Sequence, residues 1–210
     1  MKKGLFISFE GGEGCGKSTI CDYIIEQLKL LGYNCLYTRE PGGSDIAEQI
    51  RSVILDKKNV AMEARTEALL YAASRRQHYT EVIIPALASG KVVICDRFID
   101  SSLAYQGYAR GIGIDEVYKI NEFAIGERLP DLTIYLEVKP EVGLARIANR
   151  SKSDRLDVEA LDFHNNVFKG YQEVCQRYPK RIKIVNAENP LEQVKEDTLK
   201  LVLEKVKEND

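Results

Sequence analysis

Apolar residues along this chain fall into two alternating rhythms. Short runs rich in β-branched, leucine and aromatic residues predict strands at Leu5–Phe9, Cys35–Thr38, Lys91–Cys95, Leu132–Val138 and Ile182–Val185. Between them the apolar positions recur every three to four residues. That spacing predicts helices over Lys17–Leu31, Asp45–Leu55, Met62–Ala88, Ser101–Tyr105, Ile114–Glu127, Pro140–Arg150, Val158–Tyr178 and Leu191–Glu208. The punctuation agrees: Gly32 and Gly90 follow helices, and Pro140 and Pro190 stand where helices begin. Strands alternating with helices mean βαβ units. The expected fold is therefore α/β, a five-stranded parallel sheet with helices on both faces. No internal repeat, low-complexity tract or linker divides the 210 residues, so residues 1–210 read as a single domain. The polar, charged stretch Asn149–Arg155 reads as a mobile loop between two helices.

Composition narrows the function classes. A formal net charge of −2 gives no global attraction to nucleic acid or to an anionic membrane, so basic residues must act locally. The five cysteines (Cys15, Cys21, Cys35, Cys95 and Cys175) are scattered and form no CxxC pair. Reduced thiols are expected, not a disulfide framework or a zinc site. The apolar run after Lys2-Lys3 is too short for a signal peptide, and no stretch approaches the roughly 20 apolar residues of a membrane span. A cytoplasmic protein is expected.

Chemistry enters at Gly11-Gly12-Glu13-Gly14-Cys15-Gly16-Lys17-Ser18, a complete G-x-x-x-x-G-K-[ST] phosphate loop, with Thr19 next. It lies between a predicted strand and a predicted helix, the context that gives the motif its meaning. Its backbone N–H groups can cradle phosphate oxygens, and the helix dipole adds to the attraction. Lys17 would reach the β- and γ-phosphates of ATP, and Ser18 would bind Mg²⁺. Val92-Val93-Ile94-Cys95-Asp96-Arg97 supplies a strand ending in an acid. At the carboxyl edge of the sheet, Asp96 would touch Mg²⁺ or its water shell. The pattern predicts a P-loop NTPase fold, and the lack of an NKxD-type signature speaks against a GTPase.

A kinase acting on a phosphorylated acceptor also needs arginines for that acceptor's dianion, since guanidinium forks pair bidentately with phosphate. Arg51, Arg75 and Arg97 are candidates, although for any one taken alone the solvent-facing reading is the better one. The words around them carry more. Thr38-Arg39-Glu40-Pro41-Gly42-Gly43, Tyr71-Ala72-Ala73-Ser74-Arg75-Arg76 and the run from Asp96 to Gly107 resemble bacterial thymidylate kinases closely. So do Pro130–Leu136 and Asp154-Arg155-Leu156-Asp157.

The resemblance implies transfer of the γ-phosphate of ATP to dTMP. It assigns Arg97 and Arg51 to the dTMP phosphate, with Glu40 among the substrate-binding residues. Tyr71 would stack on thymine, where the family more often has Phe, and Arg75 would donate to thymine O4. Ser102 and Gln106 would read the N3 edge, and Tyr105 would pack against the deoxyribose. Glu13 would lie near the acceptor's 3′-hydroxyl, and Asn186 and Ala187 would border the adenine.

The phosphate loop has no basic residue between Gly12 and Gly16, so the resemblance is to the form that carries its arginines in a lid, here about 146–157. Arg150 and Arg155 are its candidate catalytic arginines, Arg155 favoured, with Lys152 and Arg146 as further cations. His78 and His164 have no ligand partners nearby in sequence and read as structural or surface residues. The family also implies a homodimer. The rival readings are another nucleoside monophosphate or deoxynucleoside kinase, and a P-loop switch that hydrolyses ATP without an acceptor.

Overall fold

The computed structural model describes residues 4–126, 128–148, 155–156 and 159–209. Its centre is one parallel sheet built from β1 (Leu5–Glu10), β2 (Cys35–Arg39), β3 (Val92–Asp96), β4 (Leu132–Glu137) and β5 (Ile182–Asn186). The strand order is β2-β3-β1-β4-β5. Successive side chains of a strand face opposite sides. Leu5, Ile7 and Phe9 therefore join Val92, Ile94, Ile134 and Leu136 in one apolar layer, under α1 (Lys17–Leu30) and α9 (Leu191–Asn209). Phe6, Val93, Cys95 and Tyr135 face the other layer, under α3 (Ala64–His78), α6 (Ile114–Ile125) and α8 (Leu161–Arg177). Burial on both faces explains why the strands read as continuous apolar runs.

The expected strands agree with the observed ones to within one residue at each end. The long helix expected over Met62–Ala88 is interrupted. After α3 comes a π-helical turn at Tyr79–Ile83, then α4 (Ile84–Ala88). Pro85 is the cause: its ring would collide with the carbonyl four residues back, and the wider π turn relieves that collision. The N–H of Ile84 accordingly reaches the carbonyl of Tyr79, five residues back. The helix expected at Ser101–Tyr105 is α5 (Ile99–Ser102), followed by a π-helical turn over Leu103–Ala109. α2 spans Asp45–Leu55 as expected, and α7 spans Pro140–Ile147. Of the expected lid, Arg150, Lys152 and Asp154 lie outside the described residues.

Candidate active site

β1 and β3 are neighbours, and Phe9 pairs with Asp96. Glu10 closes β1 and the phosphate loop starts at Gly11, so Asp96 stands beside that loop at the carboxyl edge of the sheet. Strands β3 and β4 flank β1 on either side, making this edge the crevice where parallel sheets collect ligands. The loop is pressed against α7. A Cβ on Gly14 would lie 2.0 Å from the carbonyl oxygen of Gly143, and one on Gly143 would lie 2.1 Å from that of Glu13. Only glycine fits on either side of this contact, and Gly14 also has a φ of 71°.

A cavity of about 350 Å³ opens over the loop. It is lined by Glu13, Gly14, Cys15, Gly16, Lys17, Ser18 and Thr19, and by Asp96, Arg97, Glu40, Arg51, Tyr71, Tyr105 and Gln106. The structure thus brings together most of the residues singled out in the sequence, and its volume suits a small polar ligand. A second cavity of about 290 Å³ lies behind the loop, between Cys15, Gly16, Thr19, Arg146 and Ala187. Arg146 bonds the carbonyl of Ala187 at 3.0 Å and approaches that of Gly14 at 3.4 Å, so it joins the phosphate loop to the segment after β5. Asn186 stands one residue before it, at the end of β5.

Within the main cavity each cation is already held. Lys17 Nζ folds back on the loop, 3.0 Å from the Gly11 carbonyl. Arg51 donates to the Pro41 carbonyl at 2.8 Å. Arg97 sits in left-handed backbone geometry, φ 68°, the one non-glycine residue with positive φ among the described residues. That conformation turns its guanidinium over the loop. Nη2 donates to Glu13 Oε1 at 2.7 Å, and Nη1 to the Gly11 carbonyl at 3.0 Å and Ser101 Oγ at 3.2 Å. The group also lies 5.2 Å from the centre of the Tyr105 ring. Burial by itself would raise the Glu13 carboxyl, but the charges of Arg97 and Lys17 outweigh it and hold the group below its ordinary range. Glu13 stays ionised and accepts from Tyr105 OH at 3.1 Å.

Glu10, which the sequence reading missed, organises this corner. It is fully buried and accepts from the Phe98 N–H at 2.7 Å, from Ser101 Oγ, and from Tyr171 OH at 3.0 Å. Burial and the charge of Asp100 push its pKa up to about 7. Beneath it, Asp100 pairs bidentately with Arg181 at 2.6 Å on each oxygen. The signal was faint but present: Glu10 continues the alternation of Phe6 and Ser8, so it faces the same layer.

Three other expectations met a different geometry. Arg75 is 1% exposed and does not line the cavity. Its Nε bonds Glu40 Oε2 at 2.6 Å, and the rest of the guanidinium reaches Ser102 Oγ, Asn121 and the Phe98 carbonyl. Ser102, bound by Arg75, also lies off the lining. Glu40 takes a second partner, His78 Nδ1 at 3.0 Å, so His78 is a buried structural residue. Arg155 is buried as well. It bonds the Ile54 carbonyl at 2.9 Å and forms an ion pair with Glu67, so its guanidinium faces the α2–α3 junction instead of the phosphate loop.

A P-loop and the cation-lined cavity over it, at one sheet edge, define a nucleotide-binding phosphotransferase. Residues 9–198 match the family described as Thymidylate kinase. The thymidylate kinase of Clostridium novyi (strain NT) is 61% identical over 199 residues, which cover 94% of this chain and 97% of that one. That of Oceanobacillus iheyensis is 56% identical over 202 residues, covering 95% and 89%. The crystal structure of thymidylate kinase from Ehrlichia chaffeensis superposes with a TM-score of 0.78 at 30% identity, covering 96% of this chain and 99% of that one. The chain belongs to the thymidylate kinase family.

Proposed function

We propose that the protein transfers the γ-phosphoryl group of ATP to dTMP, giving dTDP and ADP. The observation that carries this reading is the continuity of the cavity. The phosphate loop with Lys17 forms one wall, and Arg51, Arg97, Tyr71 and Gln106 form the other. The donor's triphosphate would lie on the loop amides and Lys17, its adenine in the cavity beside Arg146 and Ala187. The acceptor phosphate would meet Arg97 and Arg51, and its base would lie against Tyr71 with Gln106 at its edge. Arg75 and Ser102 then act from behind the pocket wall. No general base is needed, because the acceptor phosphate is itself the nucleophile. Catalysis reduces to alignment and charge around the moving group.

Ser18 presents an exposed hydroxyl, and Asp96 a half-buried carboxylate on the same cavity. These hard oxygen ligands suit Mg²⁺, which takes few protein ligands and completes its octahedron with phosphate and water. Bound there, the ion would neutralise phosphate charge. Among the described residues no group of three or more His, Cys, Asp or Glu side chains could hold a metal alone, so the nucleotide itself would bring it. Arg155 is engaged by Glu67, which leaves Arg150 as the lid arginine for the transferring group.

We further propose a homodimer in the cytoplasm. Phe123 on α6, 94% exposed, and the exposed Leu69 on α3, a helix packed against α6, offer apolar surface for such a contact. No helix among the described residues is long and apolar enough to cross a membrane. An acceptor panel tests the activity. With dTMP, dUMP, ribo-TMP and dCMP at equal concentration, dTMP should give by far the largest kcat/KM. Preference for dCMP or a ribonucleotide would transfer the chain to another acceptor class.

A further inference from the structure

Gln106 is buried but lines the acceptor cavity, and its amide nitrogen lies 2.9 Å from Glu67 Oε1. A carboxylate can only accept, so the group facing it must be the NH₂ and not the carbonyl of Gln106. Glu67 is itself 1% exposed and fixed from several sides: by Arg155 through the ion pair already described, and by Arg110, whose Nε and Nη2 both approach at 3.3 Å. Arg110 is in turn anchored by Glu159 at 2.6 Å. Burial would raise the Glu67 carboxyl, yet the hydrogen bonds of Gln106 and Arg155 and the charge of Arg110 hold it below its usual range. The carboxamide therefore has one orientation, with its oxygen left for a ligand.

We propose that Glu67 is a specificity-determining positioning residue: by clamping the NH₂ of Gln106 it offers the acceptor base a hydrogen-bond acceptor, selecting bases with an N–H at ring position 3. Thymine and uracil have that N–H. Cytosine has a lone pair there and would meet Gln106 oxygen to nitrogen, with no proton between them. A pocket built to pair one hydrogen-bond pattern discriminates strongly against its inverse. The inference rests on the placement of the base beside Gln106 proposed above.

Glu67→Gln tests it. The new amide can accept from Arg110 and Arg155 while donating to Gln106, which frees the Gln106 carboxamide to turn over. The kcat/KM ratio of dTMP to dCMP should fall by about tenfold or more. The ratio of dTMP to dUMP should not change, because both bases carry the N3 proton. A loss spread equally over all three acceptors would show a merely structural role and overturn the proposal. Gln106→Leu separates the two levels. If it leaves the dTMP to dCMP ratio intact, Gln106 does not read the base and the proposal falls with that reading. If it lowers the ratio while Glu67→Gln does not, the base contact stands and the clamp is refuted. Should Glu67→Gln fail to fold by circular dichroism, the exchange Glu67→Gln/Gln106→Glu keeps one carboxylate and one amide, and still offers the base an acceptor. It should retain the dTMP preference, because a carboxylate at 106 can only accept; loss of that preference would show that an acceptor at 106 does not read the base, and the proposal would fall.

Discussion

Replacing Arg97 by alanine should separate recognition of the acceptor's phosphate from recognition of its nucleoside. The guanidinium is held in advance over the phosphate loop by Glu13, Gly11 and Ser101, so little rotamer entropy remains to be lost when a phosphate arrives. A charge-assisted hydrogen bond contributes about 1.5–3 kcal/mol, and the pre-set fork puts this one toward the upper end. The dissociation constant for dTMP should therefore rise by roughly 10- to 150-fold. Thymidine, which has no phosphate, should bind Arg97→Ala as it binds the wild type. Titration calorimetry with both ligands measures the two effects in one experiment. Arg97→Lys should fall between them, keeping the charge but losing the fork. Arg97→Gly adds an internal control on the backbone. It removes the same side chain but suits the φ of 68°, so it should be about 1 kcal/mol more stable than Arg97→Ala in urea unfolding. Wild-type affinity of Arg97→Ala for dTMP, or an equal loss for thymidine, would refute the assignment.

Lys17→Ala should lower turnover by about 10²-fold or more while dTMP affinity stays near wild type, because Lys17 meets only donor phosphate; single-turnover kinetics and calorimetry check the split. Glu10 makes a pH prediction. Its pKa, raised from 4.5 to about 7, means the folded state binds the extra proton. Its contribution to stability is complete below pH 4.5 and is lost as pH rises through 7. The stability of the wild type relative to Glu10→Gln should thus fall between pH 5 and pH 8 by an amount of order 3 kcal/mol; a flat difference in urea unfolding would contradict the assignment. Arg155→Ala removes one of the two cations paired with the buried carboxylate of Glu67, so it should lower the melting temperature by several degrees while changing kcat less than Arg150→Ala does. A 100-fold loss of kcat at unchanged melting temperature would return Arg155 to the reacting phosphates.

Local pattern carried the strands, the phosphate loop and the acid that ends β3, because each depends on neighbours in sequence: a run of apolar residues, a glycine spacing, a strand end. What it could not carry were partnerships across the chain. Glu10 and Tyr171 are 161 residues apart, and only the folded sheet makes them hydrogen-bonding neighbours. Arg155 had the right charge and the right local word for a lid residue, but its partner Glu67 lies 88 residues earlier, on α3. Arg75 and Ser102 are each expected at the base, and the structure places them together, hydrogen-bonded to one another, one layer behind the lining. Charge type is legible in a sequence; which charge faces which is a property of packing. The π turn after α3 was within reach, since Pro85 stood inside the expected helix.

Direct transfer requires the donor's and the acceptor's phosphates to meet in the cavity over the phosphate loop. Its most direct test is to incubate the protein with γ-labelled ATP, Mg²⁺ and dTMP, and to separate the nucleotides. The account predicts that the label appears in dTDP, in amounts equal to the ADP formed, and that ADP formation nearly stops when dTMP is omitted. Label released as inorganic phosphate at the same rate with and without dTMP would contradict it, and would make the protein an ATP-driven switch.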